Sequence, residues 1–177
     1  HPCTLFPYTT LFRSLDWSVD QREHPVMILI PGNQVTYREA DKDFDRLNHF
    51  KVEEAGEKVA ILALGDFYQR GEQLSAKIKA ELGFTPTLIN PRFASGIDKE
   101  LLESLSERHQ MVITMEDGIL SGGFGEKIAS FYGSSDMKVK NYGLDKKFYD
   151  RYDPNELLKE VGMTPVQIIA DICNQIK

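Results

Sequence analysis

The sequence predicts an α/β domain in three layers: a mostly parallel sheet with helices on both faces. Three features predict it. Residues 58–65, KVAILALG, are apolar at nearly every position, which suits a strand covered on both faces. Strand-sized apolar runs alternate along the chain with stretches of helical period, and such alternation builds parallel sheets wrapped by helices. The longest apolar runs are far too short to cross a bilayer, and 41% hydrophobic with 27% charged residues is a globular balance.

In order along the chain, residues 1–14 (HPCTLFPYTTLFRS) contain no acidic residue, and their character breaks at Leu15. They lack the basic start, apolar core and small-residue cleavage site of a secretion signal. Residues 4–14 look like the in-frame translation of a sequencing-library adapter, so 1–14 is expected to be a non-native tail. Residues 25–30 (PVMILI) form a β-type run stopped by the turn signal Pro31-Gly32-Asn33. Residues 34–48 are polar and charged, as in a solvated linker. Within it, Asp41, Asp43 and Asp45 lack the glycine and final glutamate of a calcium loop.

Residues 50–53 read as a short edge strand before the turn Ala55-Gly56-Glu57, and 58–65 as a central strand. Residues 67–82 take helical period: Gly71, Leu74, Ile78 and Leu82 share one stripe, and Gly83 supplies the stop. A strand over 85–90 follows. Asp98 is an N-cap, Ile97 and Leu102 form a hydrophobic staple, and Leu101, Leu102 and Leu105 line the buried face. Residues 111–115 are the third core strand, ending in Glu116-Asp117-Gly118. The glycine-rich stretch 118–125 leads into a helix that ends near Tyr132, and 137–142 is a fourth strand. Asp153-Pro154-Asn155-Glu156 opens a short helix that Gly162 ends. Thr164 and Gln167 cap a last helix whose face carries Ile168, Ile169, Ile172 and Ile176.

Charge and composition exclude several functions. With 21 basic against 27 acidic residues the net charge is −6, and no stretch is rich in Lys and Arg. Neither a nucleic-acid backbone nor an anionic membrane is therefore the expected partner. Cys3 and Cys173 make no disulfide framework, and His1, His24, His49 and His109 are too scattered for a metal site. A reducing, cytoplasmic setting is the expectation.

Ligands of open α/β sheets collect beyond the carboxyl ends of the strands. Three such ends are visible: Gly65-Asp66, Asn90-Pro91-Arg92 and Glu116-Asp117-Gly118. Arg92 presents a planar fork suited to phosphate or carboxylate. From the pattern alone, an ion pair with Asp98 or Glu116 is the preferred reading. Ser121-Gly122-Gly123-Phe124-Gly125 lies where phosphate-cradling turns occur, yet it matches neither G-x-G-x-x-G nor a P-loop. Glu126 would also oppose a phosphate there, so close backbone packing at a helix start is preferred. Glu116 and Asp117 are adjacent and point to opposite faces, which favours capping and turn roles over a general acid/base pair.

Four segments then carry a resemblance: 58–65 (KVAILALG), 88–102 (LINPRFASGIDKELL), 112–125 (VITMEDGILSGGFG) and 142–148 (YGLDKKF). In that order and spacing they resemble the C-terminal region of 1-deoxy-D-xylulose-5-phosphate synthases, thiamine-diphosphate enzymes of the transketolase superfamily. The resemblance covers residues 15–177. It implies that 15–33 is the tail of a truncated pyrimidine-binding domain, 34–48 a linker and 49–177 a transketolase C-terminal domain. The family condenses pyruvate with glyceraldehyde 3-phosphate, releasing carbon dioxide, with thiamine diphosphate and magnesium. The groups that bind and activate that cofactor lie upstream in the family. The resemblance thus implies no catalytic, cofactor-binding or metal-binding residue in this chain, and no activity of the fragment alone.

One position carries over. Arg92, in N-P-R-F, matches the arginine that the resemblance assigns to the aldehyde's phosphate, which reverses the ion-pair reading. The family's I-R-Y-P-R-G is here Ile28-Leu29-Ile30-Pro31-Gly32-Asn33, so Leu29 and Gly32 stand in place of arginines. The implied partners are the missing N-terminal domains, a second copy in a homodimer and a small phosphorylated substrate. Two alternatives share the pattern: the C-terminal domain of another transketolase-type enzyme or 2-oxo-acid dehydrogenase β subunit, and a non-catalytic dimerisation module.

Overall fold

The structure, a computed structural model, describes residues 15–23, 25–29 and 48–176. The chain divides into two compact units, His1–Leu47 and Asn48–Lys177. The tail 1–14, the turn 31–33 and the linker with Asp41, Asp43 and Asp45 lie outside the described residues.

In the first unit, residues 15–20 form a helical turn, α1, in which the Ser18 hydroxyl donates to the Leu15 carbonyl at 2.7 Å. The strand expected over 25–30 is not present at 25–29, and Val26, Met27 and Leu29 are exposed. An extended run becomes a strand only by pairing its N–H and C=O groups with a neighbour, and none pairs with it among the described residues.

The second unit is built in the order β1 (Lys51–Glu54), β2 (Lys58–Ala63), a 3-10 turn (Gly65–Phe67), α2 (Tyr68–Leu82), β3 (Thr87–Asn90), α3 (Lys99–Leu105), β4 (His109–Ile119), α4 (Phe124–Tyr132), β5 (Lys138–Leu144), α5 (Pro154–Glu160) and α6 (Pro165–Gln175). The five strands form one sheet in the order β1-β3-β2-β4-β5. Pairings β3–β2, β2–β4 and β4–β5 are parallel, and only the edge strand β1 runs antiparallel, against β3.

The continuous apolar run of β2 explains the layering. Side chains alternate between faces, so Val59, Ile61 and Ala63 enter one core and Ala60 and Leu62 the other, all fully buried. The first core is covered by Leu74 and Ile78 of α2, Leu158 of α5, and Ile168, Ile169 and Ile172 of α6. The second is covered by Leu102 and Leu105 of α3 and by Phe124, Ile128 and Tyr132 of α4. Helices on both faces of a mostly parallel sheet are the predicted three layers.

Local signals hold the helix ends. The Asp98 carboxylate accepts the Leu101 N–H at 3.1 Å, Asp153 accepts those of Asn155 and Glu156, and Thr164 and Gln167 form a complete capping box. Gly83 ends α2 with φ 75°, and Gly162 follows α5 with φ 74°.

One boundary differs. β4 does not stop at Met115 but runs to Ile119, so Glu116-Asp117-Gly118 is strand with an irregularity, not a strand-end turn. The extension pairs Ile119 with Leu144 across β5. Gly143 permits it: a Cβ there would lie 2.9 Å from Leu120 Cδ2 and 3.0 Å from the Gly118 carbonyl.

Candidate functional site

The carboxyl ends of β2, β3 and β4 lie side by side, and the turn after β3 is the most constrained of them. Arg92 has φ 61°, in the left-handed region that non-glycine residues avoid at a cost of about 1–2 kcal/mol. The turn is closed twice, by the Arg92 N–H on Asn90 Oδ1 at 3.1 Å and the Phe93 N–H on the Pro91 carbonyl at 2.6 Å. Arg92 then donates both Nε–H and Nη2–H to the His49 carbonyl, at 3.2 and 3.0 Å. A hydrogen bond from a charged donor contributes about 1.5–3 kcal/mol, enough to offset the backbone strain. Strain maintained at a strand end is a mark of functional positions.

Where the pattern alone favours an ion pair with Asp98 or Glu116, the Arg92 guanidinium reaches the His49 carbonyl. Both carboxylates are engaged elsewhere. Asp98 is buried; its Oδ2 accepts the Phe50 N–H at 2.9 Å and His49 Nδ1 at 3.0 Å, while Oδ1 caps α3. The turn after Arg92 is tied down as well. Ser95 Oγ donates to Asn48 Oδ1 at 2.8 Å, and Lys127 Nζ donates to the Ala94 carbonyl at 2.8 Å. Sequence reasoning found Asp98 as a cap but missed His49 and Asn48, whose contacts span more than forty residues and leave no periodic trace.

Glu116 explains the glycine-rich turn. Its buried carboxylate accepts the Phe124 N–H at 2.9 Å and the Gly125 N–H at 2.8 Å, filling the anion position at the start of α4. A Cβ on Gly123 would lie 2.8 Å from both Glu116 oxygens and 2.6 Å from the Ile119 carbonyl. This is the close-packing reading of the turn, and the turn does not fit a diphosphate, which would meet a carboxylate there. Glu126 adds an acceptor for the Gly122 N–H at the same turn. Asp117 is exposed where Glu116 is buried, in keeping with alternation along a strand.

Asp117 instead acts on Asp66, in the 3-10 turn that follows β2. Burial raises the Asp66 carboxyl above its ordinary value, and the Asp117 charge raises it further. Leu29 lies in the first unit and is exposed; Gly32 is outside the described residues. No group of three or more metal-ligating side chains occurs among the described residues, and no helix there is long and apolar enough to cross a membrane. Cys173 is exposed with a free thiol.

Comparison with known proteins agrees with this architecture. Residues 48–168 match the family described as transketolase, C-terminal domain. The chain is 32% identical to a 1-deoxy-D-xylulose-5-phosphate synthase of Shouchella clausii, covering 86% of this chain and 25% of that protein. It is 31% identical to the synthase of Prochlorococcus marinus, covering 80% of this chain and 22% of that protein. The chain thus spans about a quarter of the length of these curated relatives. Among solved structures, a split-gene transketolase described as an inactive β4 tetramer superposes with a TM-score of 0.67. The superposition covers 81% of this chain and 48% of the other at 22% identity, a likeness of fold.

Proposed function

Because this chain belongs to the transketolase C-terminal domain family, we propose that it is the C-terminal domain of a 1-deoxy-D-xylulose-5-phosphate synthase. In this reading the longer protein condenses pyruvate with glyceraldehyde 3-phosphate, releases carbon dioxide, and acts in the cytoplasm as a homodimer. The observation that carries the proposal is the family match over 48–168, joined to synthase relatives aligned over most of the chain. Thiamine diphosphate and magnesium are assigned to the upstream domains. Among the described residues, the glycine-rich turn at the start of α4 is filled by Glu116 and does not fit a diphosphate.

The contribution of this domain is substrate recognition. Arg92 is the residue proposed to meet the phosphate of the acceptor aldehyde. What supports it is a strained guanidinium-bearing residue at a strand's carboxyl end, braced in place by the His49 carbonyl. The same brace favours a second reading, in which Arg92 serves only to hold the start of the domain.

Two measurements test the proposal. The chain incubated with thiamine diphosphate, magnesium, pyruvate and the aldehyde phosphate is expected to form no product, and turnover at an ordinary enzymatic rate would overturn the fragment reading. In the longer protein rebuilt with its upstream domains, Arg92→Ala should lower kcat/KM for the acceptor by roughly ten- to a hundredfold while sparing pyruvate. Lys at this position should recover only part, lacking the bidentate fork. Equal loss for both substrates with a lowered Tm would decide for the bracing role.

A further inference from the structure

Two of the bonds that hold the Arg92 guanidinium end on a single peptide unit. The N–H of Phe50 and the carbonyl of His49 belong to the same planar group. That N–H donates to Asp98 Oδ2 at 2.9 Å, and that carbonyl accepts Nε–H and Nη2–H of Arg92 at 3.2 and 3.0 Å. The His49 ring folds back on the same carboxylate oxygen, Nδ1 to Oδ2 at 3.0 Å. A buried carboxylate, a peptide plane and a guanidinium are thus connected in series.

We propose that Asp98 is a positioning residue for Arg92, acting through the His49–Phe50 peptide. Three features of the geometry require it. First, a peptide rotates as one plane, so fixing its N–H on Asp98 fixes the direction of its carbonyl and hence of the two guanidinium bonds. Second, the carboxylate polarises the peptide it accepts from, which strengthens the carbonyl as an acceptor at the other end. Third, Asp98 is itself held from its other side. It is buried, and its other oxygen caps α3 through the Leu101 N–H at 3.1 Å. The start of α3 therefore serves as the anchor, and Arg92, a strained residue on the preceding turn, is the group it orients. A cap alone needs one carboxylate oxygen; the second oxygen is spent on the residues that hold Arg92.

The functional consequence rests on the reading of Arg92 as the acceptor-phosphate ligand, but the positioning itself does not. The test uses the full chain, isotope-labelled, with the Arg92 Nε–H signal identified by its loss in Arg92→Lys. Asp98→Ser keeps a side-chain oxygen for the α3 cap but is too short to reach Phe50 and His49 as well. Asp98→Asn, a second variant of unchanged shape, covers the case in which Ser does not fold. Solvent exchange of the Arg92 Nε–H should accelerate roughly tenfold or more in either variant, the effect of losing about one hydrogen bond. Amide protection at Leu101 should persist, which a merely lost cap would not allow. Exchange at Nε–H within about twofold of the parent while the Phe50 amide loses protection would overturn the proposal. A titration with inorganic phosphate separates the two readings. A shift of the Arg92 signal in the parent, weakened in the Asp98 variants, supports both. No shift in the parent, with accelerated exchange in the variants, ends the phosphate assignment and leaves the positioning role standing.

Discussion

Replacing Glu116 by Gln tests the account of the glycine-rich turn most directly. The parent carboxylate takes one N–H on each oxygen, Phe124 on Oε2 and Gly125 on Oε1. A glutamine keeps one acceptor and turns an NH2 toward the other N–H, so one charge-assisted bond is lost and a buried donor is left facing a donor. Each of those is worth about 1–3 kcal/mol, and the favourable charge at a helix start adds a few tenths more. The first two overlap, because they concern the same N–H, so the loss should total about 2–4 kcal/mol. For a unit of this size each kcal/mol moves Tm by about 3–5 °C, so thermal unfolding followed by circular dichroism should show a fall of roughly 10 °C. Glu116→Ala should behave differently in one respect. It exposes the two N–H groups without a donor opposing them, so millimolar phosphate or sulfate at matched ionic strength should raise its Tm and leave the parent unmoved. A Glu116→Gln protein within about 2 °C of the parent, together with an alanine variant indifferent to anions, would refute the capping role.

Two further outcomes are expected. Gly143→Ala places a Cβ against the Gly118 carbonyl, which cannot rotate away as the end of Leu120 can, and should lower the urea midpoint by the equivalent of about 1–3 kcal/mol. His109 should make stability pH-dependent. Its Nδ1–H donates to the Leu105 carbonyl and its Nε2 accepts from the Thr87 hydroxyl, which in turn accepts the Gly56 N–H, so the ring is held neutral. Burial lowers its pKa below the ordinary 6.5; Arg108 acts in the same direction, and the Leu105 bond opposes them. The folded state then binds fewer protons than the unfolded one, so the His109 contribution is fully present above pH 6.5 and is lost progressively as pH falls below it. Denaturant midpoints measured from pH 8 to pH 5 should fall less steeply for His109→Gln than for the parent.

The layers, the helix ends and the strand ends beyond which ligands of such sheets collect are legible along the chain. The unbroken apolar run from Val59 to Ala63 required two covered faces, and Asp98, Asp153 and Thr164 could act on their own helices because capping partners lie three residues away. Side-chain alternation along a strand likewise separates Glu116 from Asp117. Tertiary structure alone decided what those residues do beyond their neighbours. It extended β4 through Glu116 to Ile119, because Gly143 on β5 leaves room for a pairing that no local pattern announces. It left residues 25–29 outside the sheet formed by the described residues, since a strand's hydrogen bonds belong to its neighbour as much as to itself. It also joined Asp98 to Arg92 through the His49–Phe50 peptide, a link between backbone groups whose hydrogen-bonding capacity is the same in every residue. Periodicity and caps are written in side-chain identity and short spacing, so they can be read along the chain; a backbone bond across more than forty residues exists only once the sheet has brought its ends together.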